Sequence, residues 1–177
     1  MSNKKRVWVA LGSNLGDSNR IVQEAWRQLG QEETIELVCL SHPYITEPVG
    51  MDSDNLFLNG VGILETTLAP DSLLAMLQQV ERGFGRDKKS TANGYQDRLL
   101  DLDILYFDDC VLTSSDLVLP HPYISERLFV LEPLIEIDPD RCDPCSGLTT
   151  VAMHQSLLQQ MEVGSIAVQE IKRDTWA

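Results

Sequence analysis

The sequence predicts an α+β domain, because strand-like and helical segments are interleaved along the chain. Segments rich in apolar and β-branched residues predict strands at residues 6–11, 35–44 and 57–66. Apolar positions at helical spacing predict two long helices, one beginning at Asp17 or Ser18 and one at Pro70. A chain of 177 residues can bury a substantial core, so we expect a single domain over residues 1–177.

The rest of the chain, after residue 107, carries shorter signals. Thr149 or Thr150 is placed to cap a helix that continues to Met161. Residues 111–112 predict a short edge strand, and residues 166–171 predict a terminal one. These elements extend the same α+β pattern.

The composition is that of a soluble globular protein, with 43% hydrophobic and 23% charged residues. A net charge of −13 argues against a broad surface for nucleic acid or for an anionic membrane. No apolar run approaches the roughly 20 residues that cross a bilayer, and the first apolar segment is too short for a signal peptide. We therefore expect a cytoplasmic protein, a monomer, that binds neither nucleic acid nor membrane.

The cysteines are few and unevenly spaced, which suits reduced thiols. Cys142 and Cys145 have the spacing of a metal or redox motif, but no second pair accompanies them. They are either two free thiols in a loop or a zinc or redox site.

The most informative segment is the acidic strand at residues 99–107. Side chains on a strand alternate, so Asp101 and Asp103 point to one face, with Cα atoms about 6.5–7 Å apart. Two such carboxylates can converge on a pair of hard cations about 3.5–4 Å apart. Because Asp is depleted in strands and like charges on one face repel, a metal or cationic partner is favoured over two acids that face water. The opposite face is predicted to be apolar, with Leu100, Leu102, Ile104 and Tyr106.

Three further features each leave two interpretations open. The basic residues at 82–98 form either a solvated loop or a lid that closes over phosphates. Asn59, unusual inside a strand, is either an edge or bulge residue or a buried amide that reads a ligand. His121, held between two prolines near Arg127, is either structural or an anion ligand.

Taken together, the motifs resemble the 6-hydroxymethyl-7,8-dihydropterin pyrophosphokinase family of folate biosynthesis. The resemblance covers about residues 7–160 and leaves residues 161–177 as a C-terminal extension. Its motifs are ALGSNLG at 10–16, FLN at 57–59, LETTLAP at 64–70, ERGFGR at 81–86, RLLDLDI at 98–104, PHP at 120–122 and RLFVLEPL at 127–134.

The resemblance implies a ferredoxin-like fold, with an antiparallel-rich sheet and helices packed on its faces. It also implies an enzyme that transfers pyrophosphate from MgATP to the hydroxymethyl group of the reduced pterin and releases AMP. Two Mg²⁺ ions are expected as cofactors, with ATP as co-substrate. The resemblance implies these catalytic residues: Arg86, Arg98, Asp101 and Asp103, of which the two acids also bind the metals.

The same resemblance assigns the substrate contacts. The expected ATP-binding residues are Gln78, Glu81, Ile104, His121 and Arg127. The expected pterin-binding residues are Thr46, Glu47, Val49, Phe57, Asn59, Tyr95 and Phe129, with the two phenylalanines on either side of the ring.

The sequence also departs from the family pattern. Gln96 and Asp97 precede Arg98 where members usually have Gly-Pro, and Asp97 adds a negative charge where phosphates are expected. This change keeps a rival hypothesis open, a non-catalytic paralogue that binds the pterin or the nucleotide. A metal-dependent nucleotidyl transferase that acts on nucleic acid is a second rival, and the net charge argues against it.

Overall fold

The computed structural model describes residues 4–48, 53–85 and 97–177. The expected site residues Val49, Arg86 and Tyr95 lie outside these ranges. The strands are β1 (Lys5–Ser13), β2 (Ile35–Leu40), β3 (Tyr44–Thr46), β4 (Phe57–Thr66), β5 (Asp101–Phe107), β6 (Leu112–Thr113), β7 (Val118–Leu119) and β8 (Ile171–Arg173). The helices are α1 (Ser18–Leu29), α2 (Pro70–Gly83), α3 (Leu128–Ile137) and α4 (Thr150–Glu162), with a 3₁₀ turn at Ile124–Glu126.

An antiparallel six-stranded sheet forms the centre of the fold. Its order is β5-β1-β4-β3-β8, and β2 pairs with β4 beside β3. Strands β6 and β7 form a separate hairpin. The α+β class and the antiparallel sheet are therefore confirmed.

Each face of the sheet is covered by a pair of helices. Helices α1 and α2 bury one core, which includes Val9 and Leu102, and helices α3 and α4 bury the other, which includes Val61 and Leu131. The predicted caps are present, since the Asp17 side chain accepts from the Arg20 amide and Thr149 accepts from Ala152. No helix in the described ranges is long and apolar enough to span a membrane.

The prediction of one continuous strand at residues 35–44 is wrong, because an irregular segment separates β2 from β3. Pro43 has no backbone N–H to offer a sheet ladder. At the break the Ser41 hydroxyl accepts from the Val61 amide over 3.0 Å, so a side chain replaces a backbone group. The terminal strand is also displaced, since residues 171–173 and not 166–171 pair with β3.

Strict alternation along β5 is wrong beyond Ile104. Trp8 pairs with Tyr106 but Val9 pairs with Ile104, so Leu105 is an extra residue in the ladder. Leu105 and Tyr106 therefore both lie in the core beneath α3 and α4. There the guanidinium of Arg141 packs 4.8 Å from the Tyr106 ring centre and 4.5 Å from that of Trp8.

Cys142 and Cys145 are both exposed free thiols that follow α3. Nothing in the described ranges groups three or more metal-ligating side chains, which leaves the C-x-x-C spacing without a zinc site there.

Candidate active site

An open cleft of about 760 Å³ lies where β1, β4 and β5 meet the start of α3. The residues that line it include Thr46, Glu47, Phe57, Asn59, Arg98, Asp101, Asp103, His121, Arg127 and Phe129. These residues are far apart in the sequence, and the sheet brings them together because β1 pairs with β4 on one side and β5 on the other.

The two acids of β5 line this cleft from alternate register positions. Asp101 pairs across the sheet with Gly12, and Asp103 pairs with Ala10. The Arg98 guanidinium lies 2.7 Å from an oxygen of Asp101. Asp103 lies deeper, where burial, the charge of Asp101 and that of Glu81 raise its pKa well above the ordinary value. The site therefore concentrates negative charge at the inner end of the cleft.

This donor set fits Mg²⁺. Mg²⁺ is usually held by one or two carboxylates together with waters and substrate phosphates, and not by a complete protein cage. The described residues offer two carboxylates here and no cluster of three or more possible ligands. A cation beside Asp101 and Asp103 would also offset the repulsion that disfavours the charged form of Asp103.

Glu81 connects α2 to the acidic strand instead of facing solvent. Its Oε1 accepts a hydrogen bond from the Leu102 amide over 2.8 Å, between the two acids. Ile104 is only 2% exposed, and its side chain belongs to the core beneath α1 and α2. Neither Gln78, which is half-buried on α2, nor Ile104 is among the described residues that line the cleft.

A buried amide and two aromatic side chains form the other half of the cleft. Asn59 Nδ2 donates to Thr46 Oγ1 over 3.0 Å, and both side chains are buried. This bond fixes the amide orientation, so the site presents a positioned carbonyl and hydroxyl. Phe57 on β4 and Phe129 on α3 line the cleft from different elements. The pairing is suited to a flat polar ring.

His121 and Arg127 also line the cleft. The Tyr123 amide donates to His121 Nδ1 over 3.2 Å, which places the ring proton on Nε2. Burial and the nearby Arg127 lower the pKa of His121 to about 4, so the neutral form prevails at neutral pH. The Arg127 guanidinium lies 4.8 Å from the Tyr123 ring centre and 5.6 Å from that of Phe129.

Asp97 connects three loops at the rim of the cleft. Its carboxylate accepts hydrogen bonds from Asn14 Nδ2 and Ser53 Oγ, each over 2.6 Å, and from Asn55 Nδ2 over 2.8 Å. Asn14 in turn accepts from the Arg98 amide over 2.8 Å. The hydrogen bonds from Ser53 and Asn14 are the main reason that the pKa of Asp97 lies below its ordinary value.

Sequence reasoning did not assign Asn14, Gly12 or Gln169 to this site. The Gln169 side chain accepts a hydrogen bond from the Leu128 amide, next to Arg127 and Phe129 of the cleft. Gly12 is close-packed, since a Cβ there would lie 3.3 Å from Asn59 Oδ1. The Gly-Ser-Asn turn carried a signal for Gly12 and Asn14, but a lone Gln in an irregular segment carried none.

Residues 8–139 match the family described as 7,8-dihydro-6-hydroxymethylpterin-pyrophosphokinase (HPPK). The chain belongs to this family. The predicted family and the predicted class of enzyme, a pterin pyrophosphokinase, are thereby confirmed. HPPK relatives named 2-amino-4-hydroxy-6-hydroxymethyldihydropteridine pyrophosphokinase include one from Porphyromonas gingivalis, 40% identical over 75% of this chain and 90% of its own length. Another is from Pseudomonas aeruginosa, 40% identical over 77% of this chain and 82% of its own.

Longer proteins also contain an HPPK-like part. The folic acid synthesis protein fol1 of Schizosaccharomyces pombe is 37% identical over 81% of this chain, which spans only 19% of that protein. Among solved structures, wild-type HPPK-DHPS of Plasmodium falciparum with pteroate matches 98% of this chain and 48% of its own length. Its TM-score is 0.76 at 13% identity, which shows a shared fold.

Proposed function

We propose that this chain transfers the β,γ-pyrophosphoryl group of ATP to the hydroxymethyl oxygen of 6-hydroxymethyl-7,8-dihydropterin, a step of folate biosynthesis. The new bond joins that oxygen to the β-phosphorus, the bond between the β-phosphorus and the α-bridging oxygen breaks, and AMP leaves. The observation that carries the proposal is that one cleft contains both an acidic pair and a set of residues suited to a flat polar ring. The acids are Asp101 and Asp103, and the other residues are Asn59, Phe57 and Phe129.

The pterin half of the reaction falls to the buried amide and the aromatic pair. The Asn59 amide, fixed by Thr46, recognises the pyrimidine-like edge of the ring by hydrogen bonds. Phe57 and Phe129 hold the ring faces by stacking and apolar burial. Glu47 and the backbone beside it line the same end of the cleft. Val49 and Tyr95, which lie outside the described residues, complete the pterin set that the family resemblance implies.

The basic and acidic residues of the cleft are proposed to bind the triphosphate and its metal ions. Arg98 and Arg127 offer donors to the triphosphate, and His121 offers the proton on Nε2. Asp101 and Asp103 would hold two Mg²⁺ ions, which neutralise charge on the triphosphate and align it for an in-line displacement. Arg86 is proposed as a further catalytic cation, and Gln78, Glu81 and Ile104 as residues near the nucleotide.

The remaining expectations about fold, domains, location and partners belong to the same proposal. The antiparallel sheet, covered by a helix pair on each face, supports a ferredoxin-like fold. Strand β8 joins the central sheet, which supports one domain that includes the C-terminal extension. We further propose a cytoplasmic monomer that binds neither nucleic acid nor membrane.

The test is a product assay with ATP, Mg²⁺ and the pterin. The proposal predicts one AMP for each pterin consumed, with chelation of the metal stopping turnover. Release of ADP would contradict it. Binding of both ligands by calorimetry without any AMP would instead indicate the non-catalytic paralogue.

A further inference from the structure

The segment at residues 163–177 wraps the edge of the sheet beside the cleft. It lies beyond residues 8–139, which match the family. Within it β8 pairs with β3, so that Ile171 stands opposite Thr46 of the cleft. Past β8, Trp176 Nε1 donates to the Ser41 carbonyl over 2.8 Å, and its ring packs against Gly60. The segment is therefore anchored on both sides of the sheet edge.

Gln169 is the residue by which this segment contacts the start of α3. Its Oε1 accepts from the Leu128 amide over 2.8 Å, and its Nε2 donates to the Glu126 carbonyl over 2.9 Å. These two backbone groups flank Arg127, whose backbone is extended at φ −120° and ψ 108°. The side-chain amide thus pairs with Arg127 as a neighbouring strand would.

The contact supplies what the start of the helix lacks locally. Arg127 is the N-cap of α3 and makes no side-chain capping bond, although the first amides of a helix have no partner within it. Gln169, distant in sequence, satisfies the first of them. Leu128 is itself fixed, because its side chain is buried in the core beneath α3 and α4.

The two residues on either side of Leu128 are those that line the cleft. Arg127 and Phe129 both line it, and their side chains contact each other. Their directions follow from the backbone at residues 126–128, which the Gln169 amide holds at two points. Loss of these bonds frees that backbone without removing any group from the cleft.

We propose that Gln169 is a positioning residue, which orients Arg127 towards the triphosphate and Phe129 towards the pterin. This role rests on the proposed function and extends the working site beyond the part of the chain that matches the family. It predicts that substrate affinity depends on a residue that does not line the cleft.

The test compares Gln169→Ala with a matched control, Gln160→Ala, whose side-chain amide donates to Ser156 in its own helix. Dissociation constants are measured by calorimetry for a non-hydrolysable ATP analogue with Mg²⁺, and for the pterin in its presence. KM and kcat are measured beside them, and thermal melting reports the fold. We expect Gln169→Ala to raise both dissociation constants and both KM values about tenfold, with kcat changed less. The control should match wild type.

A second variant separates the two bonds and guards against misfolding. Gln169→Glu keeps an acceptor for the Leu128 amide but loses the donor to Glu126, so its affinities should lie between wild type and Gln169→Ala. If Gln169→Ala fails to fold, the dissociation constants of Gln169→Glu test the positioning role in its place. Wild-type affinities in the folded variants would overturn the positioning role. A wild-type chain that forms no AMP would overturn the proposed function. The dissociation constants would then test whether Gln169 supports ligand binding, independently of catalysis.

Discussion

The guanidinium of Arg98 and the carboxylate of Asp101 lie 2.7 Å apart inside the candidate active-site cleft. The arginine side chain is only 10% exposed, so its charge acts where solvent screening is weak. Arg98 therefore holds Asp101 in place and directs a positive charge to the position where phosphates are expected.

Arg98→Ala should lower kcat about 100-fold, because a buried cation that stabilises developing phosphate charge is lost. Arg98→Lys should recover only part of the rate, since an ammonium group lacks the planar fork of donors. AMP release measures both. Arg27→Ala, on the exposed face of α1, is the matched control and should leave kcat unchanged. Full activity in Arg98→Ala would contradict the assigned role.

Asp103→Asn should lower the rate of AMP formation about 1000-fold or more. It should also raise the free energy of unfolding measured in urea. The substitution removes a metal ligand, but it also removes a buried charge that lies near Asp101 and Glu81. Activity and stability should thus move in opposite directions. The exposed Asp140→Asn serves as control and should change neither. An equal loss of stability and activity would indicate a structural role alone.

Gly12→Ala should raise the KM for the pterin about fivefold with little change in melting temperature. The added Cβ would lie 3.3 Å from Asn59 Oδ1, so the amide that reads the ring must shift. Gly83→Ala is the control, because no neighbouring side chain among the described residues lies within 4 Å of the corresponding Cβ. An unchanged pterin KM would show that the Asn59 amide does not set affinity.

Asp97→Ala should speed amide hydrogen exchange at residues 53–55, because the carboxylate that binds Ser53 and Asn55 is lost. It should not lower the KM for ATP, since in the native protein hydrogen bonds already satisfy this carboxylate. Asp54→Ala, its exposed neighbour across the loop, is the comparison. A tighter KM for ATP in Asp97→Ala would mean that the extra charge repels the nucleotide.

Because of His121, the free energy of unfolding should decrease as the pH falls from 6.5 to about 4. Its pKa is 6.5 in the unfolded chain and about 4 in the native site, so over this window only the unfolded chain takes up the proton. Stability is therefore complete above pH 6.5 and is lost as the pH falls, by at most about 1.4 kcal/mol for each pH unit. Urea unfolding of wild type and His121→Asn at several pH values measures the difference. Parallel curves would contradict it.

The sequence predicted the elements whose signals are local. The strand at residues 57–66 agrees with β4, and Asp101 and Asp103 line one cleft, because alternation and apolar content act within a few residues. The break at Pro43 was missed although proline is itself a local signal against a continuous strand. The contact of the Ser41 side chain with Val61 of β4 has no such local signal.

The support of the site was missed for the same reason. Gln169 acts on residues about forty positions earlier, and Asp97 joins three loops that meet only in the folded protein. Hydrophobic periodicity carries no signal for such contacts. The family resemblance could not supply Gln169 either, because that residue lies beyond the matching part of the chain.

The extra residue at Leu105 shifts the alternation of side chains along β5 by one position. Before it even-numbered side chains face α1 and α2, whereas after it Tyr106 faces α3 and Phe107 takes the other side. Removing that one position would leave Tyr106 opposite Trp8 and Phe107 opposite Val7, so neither side chain would change faces. The core beneath α3 and α4 would lose only the Leu105 side chain, while Asp101, Asp103 and both aromatic rings beside Arg141 would keep their places.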